Sequence, residues 1–257
     1  MKIMGILNVT PDSFSDGGNF VDVEKGVAHA VQMVADGADI IDIGGESTRP
    51  GAKKVTIEEE LSRVIPVIKG LRSKMEIPIS IDTYKAEVAR QAVIAGATMI
   101  NDIGGAKLDS EMATVMADTG VDVVLMHYNE HGLEDEKIDI ISTVKQGLQE
   151  SIDFLLEAGV KPEKIILDPG IGFGKTYEQN VELIKNINQI KTLGYPVLLG
   201  SSKKRVIGGL SGSGAKENLA IGTVATTCWA VNKGIEYVRV HDVKGNKLAL
   251  NVLEKLL

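Results

Sequence analysis

The sequence contains almost no cysteine and no long apolar run. Its single cysteine, Cys228, excludes an internal disulfide framework and any metal site built from several cysteines. No apolar stretch approaches the roughly 20 residues of a transmembrane helix. The N-terminus carries only a short apolar run, from Ile3 to Leu7, and no small-residue cleavage site follows it. We therefore expect a cytoplasmic protein that does not bind a membrane.

Basic residues are also few relative to acidic ones. The chain has 28 lysine and arginine residues against 35 aspartate and glutamate residues, a formal net charge of −7. This balance argues against non-specific binding to nucleic acid or to an anionic membrane. An anionic substrate would therefore need a local cluster of cations or helix N-termini. The 257 residues, 44% of them hydrophobic, can bury a sizeable core, so disordered, collagen-like and coiled-coil classes are excluded.

Short apolar segments rich in isoleucine and valine alternate with segments of helical spacing. Eight segments have the continuous apolar character of parallel strands that are covered on both faces. They are Lys2–Asn8, Asp39–Ile43, Pro78–Asp82, Thr98–Ile103, Asp122–Met126, Lys164–Asp168, Pro196–Gly200 and Glu236–Val240. The predicted helices between and after them are Val23–Ala35, Ile57–Ser73, Lys85–Ala95, Ser110–Asp118, Ile140–Glu157, Tyr177–Thr192, Ala215–Asn232 and Val243–Leu256. This α/β pattern predicts a single-domain (β/α)8 TIM barrel over residues 1–257, with an open doubly wound sheet as the alternative.

Polar side chains follow nearly every predicted strand. In a barrel the C-terminal ends of the strands meet at one mouth, where active sites lie. The acceptors among them could bind the planar N–H edge of a 2-amino-pyrimidinone ring; they are Asp82, Asn101 and Asp168. The cations would suit a phosphate or a carboxylate; they are Arg49, Lys204, Arg239 and His241. The alternative, that the short polar residues only cap helices, does not explain Asp42, Lys204, Arg239 or His241.

Two long loops and one glycine-rich segment complete the candidate site. The loops VTPDSFSDGGNFVD and GGESTRPGAKKVT follow the first two strands, and loops of this length often cover or clamp a substrate. Surface loops without function are the alternative. The segment DPGIGFGKT resembles a phosphate-binding P-loop, but Pro169 replaces its first glycine. A P-loop nucleotide hydrolase is therefore a second function to test.

Several blocks of the sequence resemble the dihydropteroate synthase branch of the pterin-binding TIM-barrel family. The first is GILNVTPDSFSDGG and the second GADIIDIGGESTRPGA. Further blocks are ISIDTYKAEVARQAVIAGATMINDI, IILDPGIGFGKT, LLGSSKKR and VRVHDV. Related methyltetrahydrofolate methyltransferases share the barrel and the pterin pocket, but their first loop looks different. An inactive pterin-binding paralogue stays open as an alternative.

This resemblance implies an activity and its cofactor. The family joins p-aminobenzoate to 6-hydroxymethyl-7,8-dihydropterin diphosphate, releases pyrophosphate and supplies 7,8-dihydropteroate for folate synthesis. It requires Mg2+, forms homodimers through outer helices and is a target of sulfonamides. Because an aromatic amine is unprotonated near neutral pH, leaving-group departure is the difficult step. We expect a dissociative, SN1-like substitution, with loops that exclude water.

The resemblance also implies roles for individual residues. The pterin would be held by Asp82, Asn101, Met126, Asp168, Phe173 and Lys204. The diphosphate would meet Asn8, Thr48, Arg49, Arg239 and His241, with Asn8 also binding the metal. The p-aminobenzoate site would use Phe14, Thr48, Pro50, Phe173 and Ser202. Catalytic roles would fall to Asp16, Arg49, Lys204 and Arg239.

The sequence departs from the family pattern at two places. The family usually has a Met-Arg-Gly-type stretch after the histidine of the fifth strand, where this chain has Tyr128-Asn129-Glu130-His131. Lys203 stands where the family more often has arginine, which keeps the charge but loses the two-pronged guanidinium. We expect an altered loop geometry beside the site rather than a lost activity.

Overall fold

Eight parallel strands form one sheet in the computed structural model, which describes residues 1–10, 19–47, 52–128, 138–212 and 214–256. The strands are β1 Lys2–Asn8, β2 Ile40–Gly44, β3 Ile79–Asp82, β4 Met99–Asp102, β5 Asp122–Met126, β6 Ile165–Asp168, β7 Leu198–Leu199 and β8 Tyr237–Val240. Their order in the sheet is β6-β5-β4-β3-β2-β1-β8-β7. A parallel bridge between Leu167 and Val197 joins the two edges. The sheet therefore closes, and the predicted barrel is confirmed over the open sheet.

Helices surround the barrel. The α-helices are α1 Asn19–Ala35, α2 Ile57–Arg72, α3 Ala86–Ala95, α4 Met112–Thr119, α5 Ile140–Glu157, α6 Tyr177–Lys185, α7 Arg205–Ser211, α8 Lys216–Asn232 and α9 Val243–Leu256. Short 3-10 helices follow α5 and α6, at Pro162–Lys164 and Ile187–Leu193. Each strand is thus followed by at least one helix, which is the connection that parallel neighbours require.

Two helices differ from the sequence prediction. The helix predicted over Tyr177–Thr192 leaves α-helical geometry at Asn186, whose Nδ2 donates to Glu182 Oε1 at 2.6 Å. Asparagine side chains compete for local hydrogen bonds in this way, and the chain continues as a 3-10 helix. Helix α7 was not predicted, because Gly208 and Gly209 weaken its helical signal. A Cβ at Gly209 would lie 2.3 Å from the exposed Tyr177 ring, so a larger residue there would displace that side chain.

The barrel interior is apolar at one end only. Alternate strand residues point inward, and six of them form a buried apolar floor. They are Met4, Ile40, Met99, Val124, Ile166 and Leu198. Two residues further along, three of these strands carry polar side chains, at Asp42, Asn101 and Asp168. The floor therefore closes one end, and the polar residues line the opposite, C-terminal mouth.

The outer helices carry both polar surface and one apolar groove. Helices α6, α7 and α8 line this groove, where Leu210, Ile221 and Trp229 are all exposed. None of the helices in the described part of the chain is long and apolar enough to cross a membrane. The predicted cytoplasmic location is not tested by that observation and stays a prediction.

Candidate active site

A hydrogen-bonded cluster at the mouth joins strands that are far apart in sequence. The Nε of Arg239, from β8, donates to Asp42 Oδ2 at 2.6 Å. The Nδ2 of Asn101, from β4, donates to the same oxygen at 3.2 Å. The Nη2 of Arg239 also forms an ion pair with Asp82 Oδ2, at the end of β3. The structure therefore brings Asp82, Asn101 and Arg239 together, as their positions at strand ends predict.

Asp42 is the member of this cluster for which the sequence analysis predicts no ligand. It lies on β2 and is completely buried. A buried carboxylate must be paired to be tolerated, and Asp42 meets this need through Arg239 and Asn101. An aspartate inside the otherwise apolar strand sequence IIDIG is the available signal, although its partner Arg239 is 197 residues away in sequence.

The cluster carries excess negative charge. Asp42 and Asp82 share one guanidinium, which leaves a formal charge of −1 if both are ionised. Burial raises the pKa of Asp82 to about 7, against the opposing effect of Arg239 and with a further contribution from Asp42. The Oδ1 atoms of Asp42 and Asp82 are buried without a hydrogen-bond partner in the described part of the chain. Such atoms cost about 1–3 kcal/mol each when unsatisfied, so the cluster is suited to accept N–H donors.

A second group of residues lies across β6 and β7. Asp168 is buried, and its Oδ1 accepts a hydrogen bond from the Gly170 amide at 2.7 Å. The Nζ of Lys204 donates to the Ile171 carbonyl and lies 4.5 Å from the centre of the Phe173 ring. Burial lowers the pKa of Lys204 to about 8, although Asp168 opposes this shift. These residues combine an acceptor, a cation and an aromatic face.

Glycines make this second group possible. A Cβ at Gly200 would lie 3.2 Å from Asp168 Oδ2, so a side chain there would crowd the carboxylate. Gly172 has a φ of +80°, and a Cβ there would lie 3.0 Å from the Lys204 side chain. Gly172, in the loop after β6, therefore lets the backbone pass close to Lys204, and Gly200, directly after β7, does the same beside Asp168.

The lysine of the P-loop-like segment is bound to its own loop. The Nζ of Lys175 donates to the carbonyls of Gly170 and Phe173, at 3.0 and 3.1 Å. Burial also lowers its pKa to about 7. An ammonium committed to loop carbonyls is poorly placed to bind a nucleotide phosphate, which disfavours the P-loop hydrolase. Its structural effect is to fix the turn that carries Phe173.

Ser202 and His241 are joined by hydrogen bonds at the mouth of the barrel. The Ser202 hydroxyl lies 2.9 Å from His241 Nδ1 and accepts a hydrogen bond from the His241 amide at 3.1 Å. Ser202 is buried. The pair therefore links the end of β7 to the end of β8. The predicted contact of Ser202 with the p-aminobenzoate carboxylate stays a prediction.

Comparison with known proteins places the chain among enzymes. The family described as pterin-binding enzymes matches residues 4–241. A dihydropteroate synthase of Clostridium beijerinckii is 52% identical over 253 residues, which cover 98% of this chain and 93% of that protein. The chain belongs to the pterin-binding enzyme family. Within it, the chain is a transferase of the dihydropteroate synthase group.

Solved structures agree with this assignment. The dihydropteroate synthase of Clostridium difficile, determined with pteroic acid, is 49% identical and has a TM-score of 0.94, covering 100% of this chain and 96% of that one. The enzyme of Xanthomonas albilineans, determined with 4-aminobenzoic acid, is 45% identical, with a TM-score of 0.94 and coverage of 99% and 92%. The barrel described above is therefore the fold of this group.

The remaining predicted site residues fall into two sets. Met126 is buried on β5, where it is the register partner of Asp168 on β6. Asn8 is half-buried at the end of β1. The other set lies outside the described residues and comprises Phe14, Asp16, Thr48, Arg49 and Pro50, together with the atypical stretch 129–131. Their roles stay predictions.

Proposed function

We propose that the chain joins p-aminobenzoate to 6-hydroxymethyl-7,8-dihydropterin diphosphate, forming 7,8-dihydropteroate and pyrophosphate for folate biosynthesis. The buried acceptor cluster at the barrel mouth carries this proposal, because its unpaired oxygens match the N–H donors of a pterin ring. The ligands named with the related structures, pteroic acid and 4-aminobenzoic acid, support the same pair of substrates. The substrates are small molecules, and nucleic acid and membranes have no part in the reaction.

The pterin would lie between the two groups of residues at the mouth. Asp82 and Asp168 would accept hydrogen bonds from its N–H groups, and Asn101 would add an amide. Met126 and Phe173 would contact the flat ring, since apolar and aromatic surfaces favour planar heterocycles. Lys204, above Phe173, would donate to the ring carbonyl. Each of these side chains is buried or half-buried, which strengthens charged hydrogen bonds.

The diphosphate would bind nearer the rim. Arg239 commits Nε and Nη2 to carboxylates, and its Nη1 has no partner among the described residues. We assign Nη1 to the diphosphate, together with His241, which follows β8, and Asn8, which ends the neighbouring strand β1. Thr48 and Arg49 would complete this group. Arg239→Ala should abolish diphosphate-dependent steps and also weaken pterin binding, because it leaves the buried carboxylates of Asp42 and Asp82 without their counterion.

Substitution at the pterin methylene would be dissociative. The C–O bond to the diphosphate breaks first, and its electron pair leaves with the oxygen. The methylene carbon then carries positive charge that spreads into the ring, where the carboxylate of Asp82 or Asp168 would favour it electrostatically. The amine lone pair of p-aminobenzoate forms the new C–N bond, and the surplus amine proton passes to solvent or to pyrophosphate. Phe14, Asp16 and Pro50, with Ser202, would place the amine and exclude water.

A magnesium ion fits this site as a companion of the diphosphate. In the described ranges, no three His, Cys, Asp or Glu side chains are grouped to hold a metal ion. Mg2+ usually keeps several waters and takes one or two protein oxygens together with substrate phosphates, so a large protein cage is unnecessary. The amide oxygen of Asn8 would supply such a ligand. When bound, the ion would neutralise charge on the departing diphosphate.

We also propose a homodimer formed through the groove of α6, α7 and α8. Leu210 is 48% exposed, Ile221 69% and Trp229 38%, and an exposed apolar surface of this kind is typical of an interface.

Sulfonamides, which resemble p-aminobenzoate, should compete with that substrate.

The deciding experiment measures pyrophosphate release. Pterin diphosphate and p-aminobenzoate are supplied separately and together, with and without Mg2+. Release that requires both substrates, with formation of dihydropteroate, supports the proposal. No release with retained pterin binding indicates an inactive paralogue, and methyl transfer from methyltetrahydrofolate indicates the methyltransferase alternative. ATP hydrolysis without pterin would indicate a P-loop hydrolase.

A further inference from the structure

A second buried polar cluster lies outside the barrel mouth, between the loop after β2 and the turn after β3. We call Glu46, Glu60, Tyr84 and Lys85 the clasp. The Nζ of Lys85 forms ion pairs with Glu46 Oε2 and Glu60 Oε2. The Tyr84 hydroxyl donates to Glu46 Oε1 at 3.0 Å. Glu46 therefore uses both carboxylate oxygens to hold the turn after β3.

The clasp holds both ends of the loop after β2. Glu46 stands near the start of this loop, and the Val55 amide, near its end, donates to Glu46 Oε2 at 3.4 Å. Just before Glu46, the carbonyl of Gly45 accepts a hydrogen bond from Arg63 at 2.6 Å, so helix α2 fixes the start as well. A Cβ at Gly45 would lie 2.8 Å from Val64, and the close approach to α2 thus depends on glycine.

The buried charges of the clasp are not expected to add to the stability of the fold. The side chains of Glu46, Glu60 and Lys85 are 8%, 1% and 12% exposed, and two carboxylates share one ammonium. Glu60 Oε1 has no hydrogen-bond partner in the described part of the chain. Buried ion pairs commonly cost as much in desolvation as they return, so they are weak evidence of stabilisation. Burial opposes the charge of Lys85, but its bonds to the two glutamates outweigh this and raise its pKa.

The turn after β3 serves two sites at once. Asp82 points into the barrel toward Arg239, while Tyr84 and Lys85, two and three residues later, point outward to Glu46. Thr83 braces the turn, because its amide donates to the Asn101 carbonyl at 3.1 Å and its hydroxyl accepts from the Lys85 amide at 3.2 Å. The pterin acceptor and the anchor of the neighbouring loop thus belong to one short, hydrogen-bonded segment.

We propose that Glu46 is a positioning residue for the p-aminobenzoate site: held by Tyr84 and Lys85, it ties the described ends of the loop after β2, at Glu46 and Val55, to the turn that carries Asp82. Thr48 and Pro50, assigned above to p-aminobenzoate, lie between Glu46 and Val55 in sequence. The inference therefore rests on the proposed function. It adds three residues that do not touch substrate and a coupling between the two substrate sites.

The test separates the two Michaelis constants. Glu46→Gln removes the carboxylate charge of Glu46 and should raise the KM for p-aminobenzoate about ten-fold. Tyr84→Phe removes the hydroxyl that donates to Glu46 and should raise the same KM about three-fold. Both effects are expected because small displacements of a positioning group are costly to catalysis. The KM for pterin diphosphate should stay within about two-fold and kcat within about three-fold of the wild-type value. Glu236→Gln is the matched control, since Glu236 also pairs with a lysine, Lys191, and accepts from a backbone amide, that of Val197 at 2.9 Å, but precedes β8 at the opposite end of the barrel; it should leave both constants unchanged.

Amide hydrogen exchange supplies a readout that needs no substrate. The Val55 amide should exchange faster in Glu46→Gln and not in Glu236→Gln, because only the first removes its acceptor's charge. Unchanged exchange at Val55 in Glu46→Gln would overturn the proposal, and so would an unchanged KM for p-aminobenzoate in both clasp variants. Equal rises in both KM values with a lowered melting temperature would assign the clasp to stability instead. If Glu46→Gln does not fold, Tyr84→Phe carries the same comparison. A wild-type protein that forms no dihydropteroate refutes the proposed function, while the exchange experiment still decides whether Glu46 holds the loop.

Discussion

Replacing Asp168 by asparagine tests the pterin pocket most directly. Asp168 is 6% exposed, its Oδ1 is held by the Gly170 amide, and its Oδ2 faces Gly200. Asparagine keeps the shape and can still accept from Gly170. Its NH2 group would, however, replace an acceptor by a donor where a pterin N–H is expected. A hydrogen bond to a charged group is worth about 1.5–3 kcal/mol, so pterin affinity should fall about 10- to 100-fold or more.

Isothermal titration with 6-hydroxymethylpterin measures this loss. The matched control is Asp122→Asn, because Asp122 begins the neighbouring strand β5 at the opposite end of the barrel. There it pairs with Lys164 at 2.9 Å and is 45% exposed. The control should bind pterin as the wild-type protein does. Equal affinity for Asp168→Asn and the wild-type protein would refute the assignment of Asp168 to the pterin pocket.

Three further predictions concern stability and assembly. Burial lowers the pKa of His127 to about 3 from its ordinary value of 6.5. Between these values the unfolded chain binds a proton that the folded chain does not, so stability falls as the pH decreases. Urea unfolding of His127→Gln should show a pH slope that is shallower by up to about 1.4 kcal/mol per unit, and an unchanged slope would contradict the shift. Met99→Ala should lower the free energy of unfolding in urea by about 2–5 kcal/mol, because it opens a cavity in the barrel floor. A decrease of less than about 1 kcal/mol would contradict this, since it would mean that neighbouring side chains move into the cavity. Ile221→Glu should convert the proposed dimer to monomer in sedimentation velocity, whereas a wild-type monomer would contradict the proposed interface.

The strands were predictable because their apolar character is local. The second predicted strand, Asp39–Ile43, is shifted by one residue from β2, and the seventh, Pro196–Gly200, contains the short β7. Helix α7 was missed because its glycines carry little helical preference. Propensity and spacing act over a few residues, so they locate elements well and their ends less well.

The polar residues at the mouth were predictable as a set but not as pairs. Parallel strands in a barrel bring their C-terminal ends together, so Asp82, Asn101 and Asp168 had to share a region. The sequence could not indicate that Arg239 would bind Asp42, because that contact depends on which residues the closed sheet places opposite one another. The clasp was missed for the same reason, since Glu46 and Lys85 are 39 residues apart and meet only when two loops are folded side by side.

The closure of the barrel has a consequence for ligand binding. The sheet edges β6 and β7 meet through the Leu167–Val197 bridge, with the Leu167 amide donating to the Pro196 carbonyl at 2.9 Å. Asp168 ends one of these edges and Lys204 follows the other, so a ring bound to both spans the weakest junction between neighbouring strands. The bound substrate would then hold the two strand edges together. Occupancy of the pocket should slow the separation of these two edges more than that of any other pair.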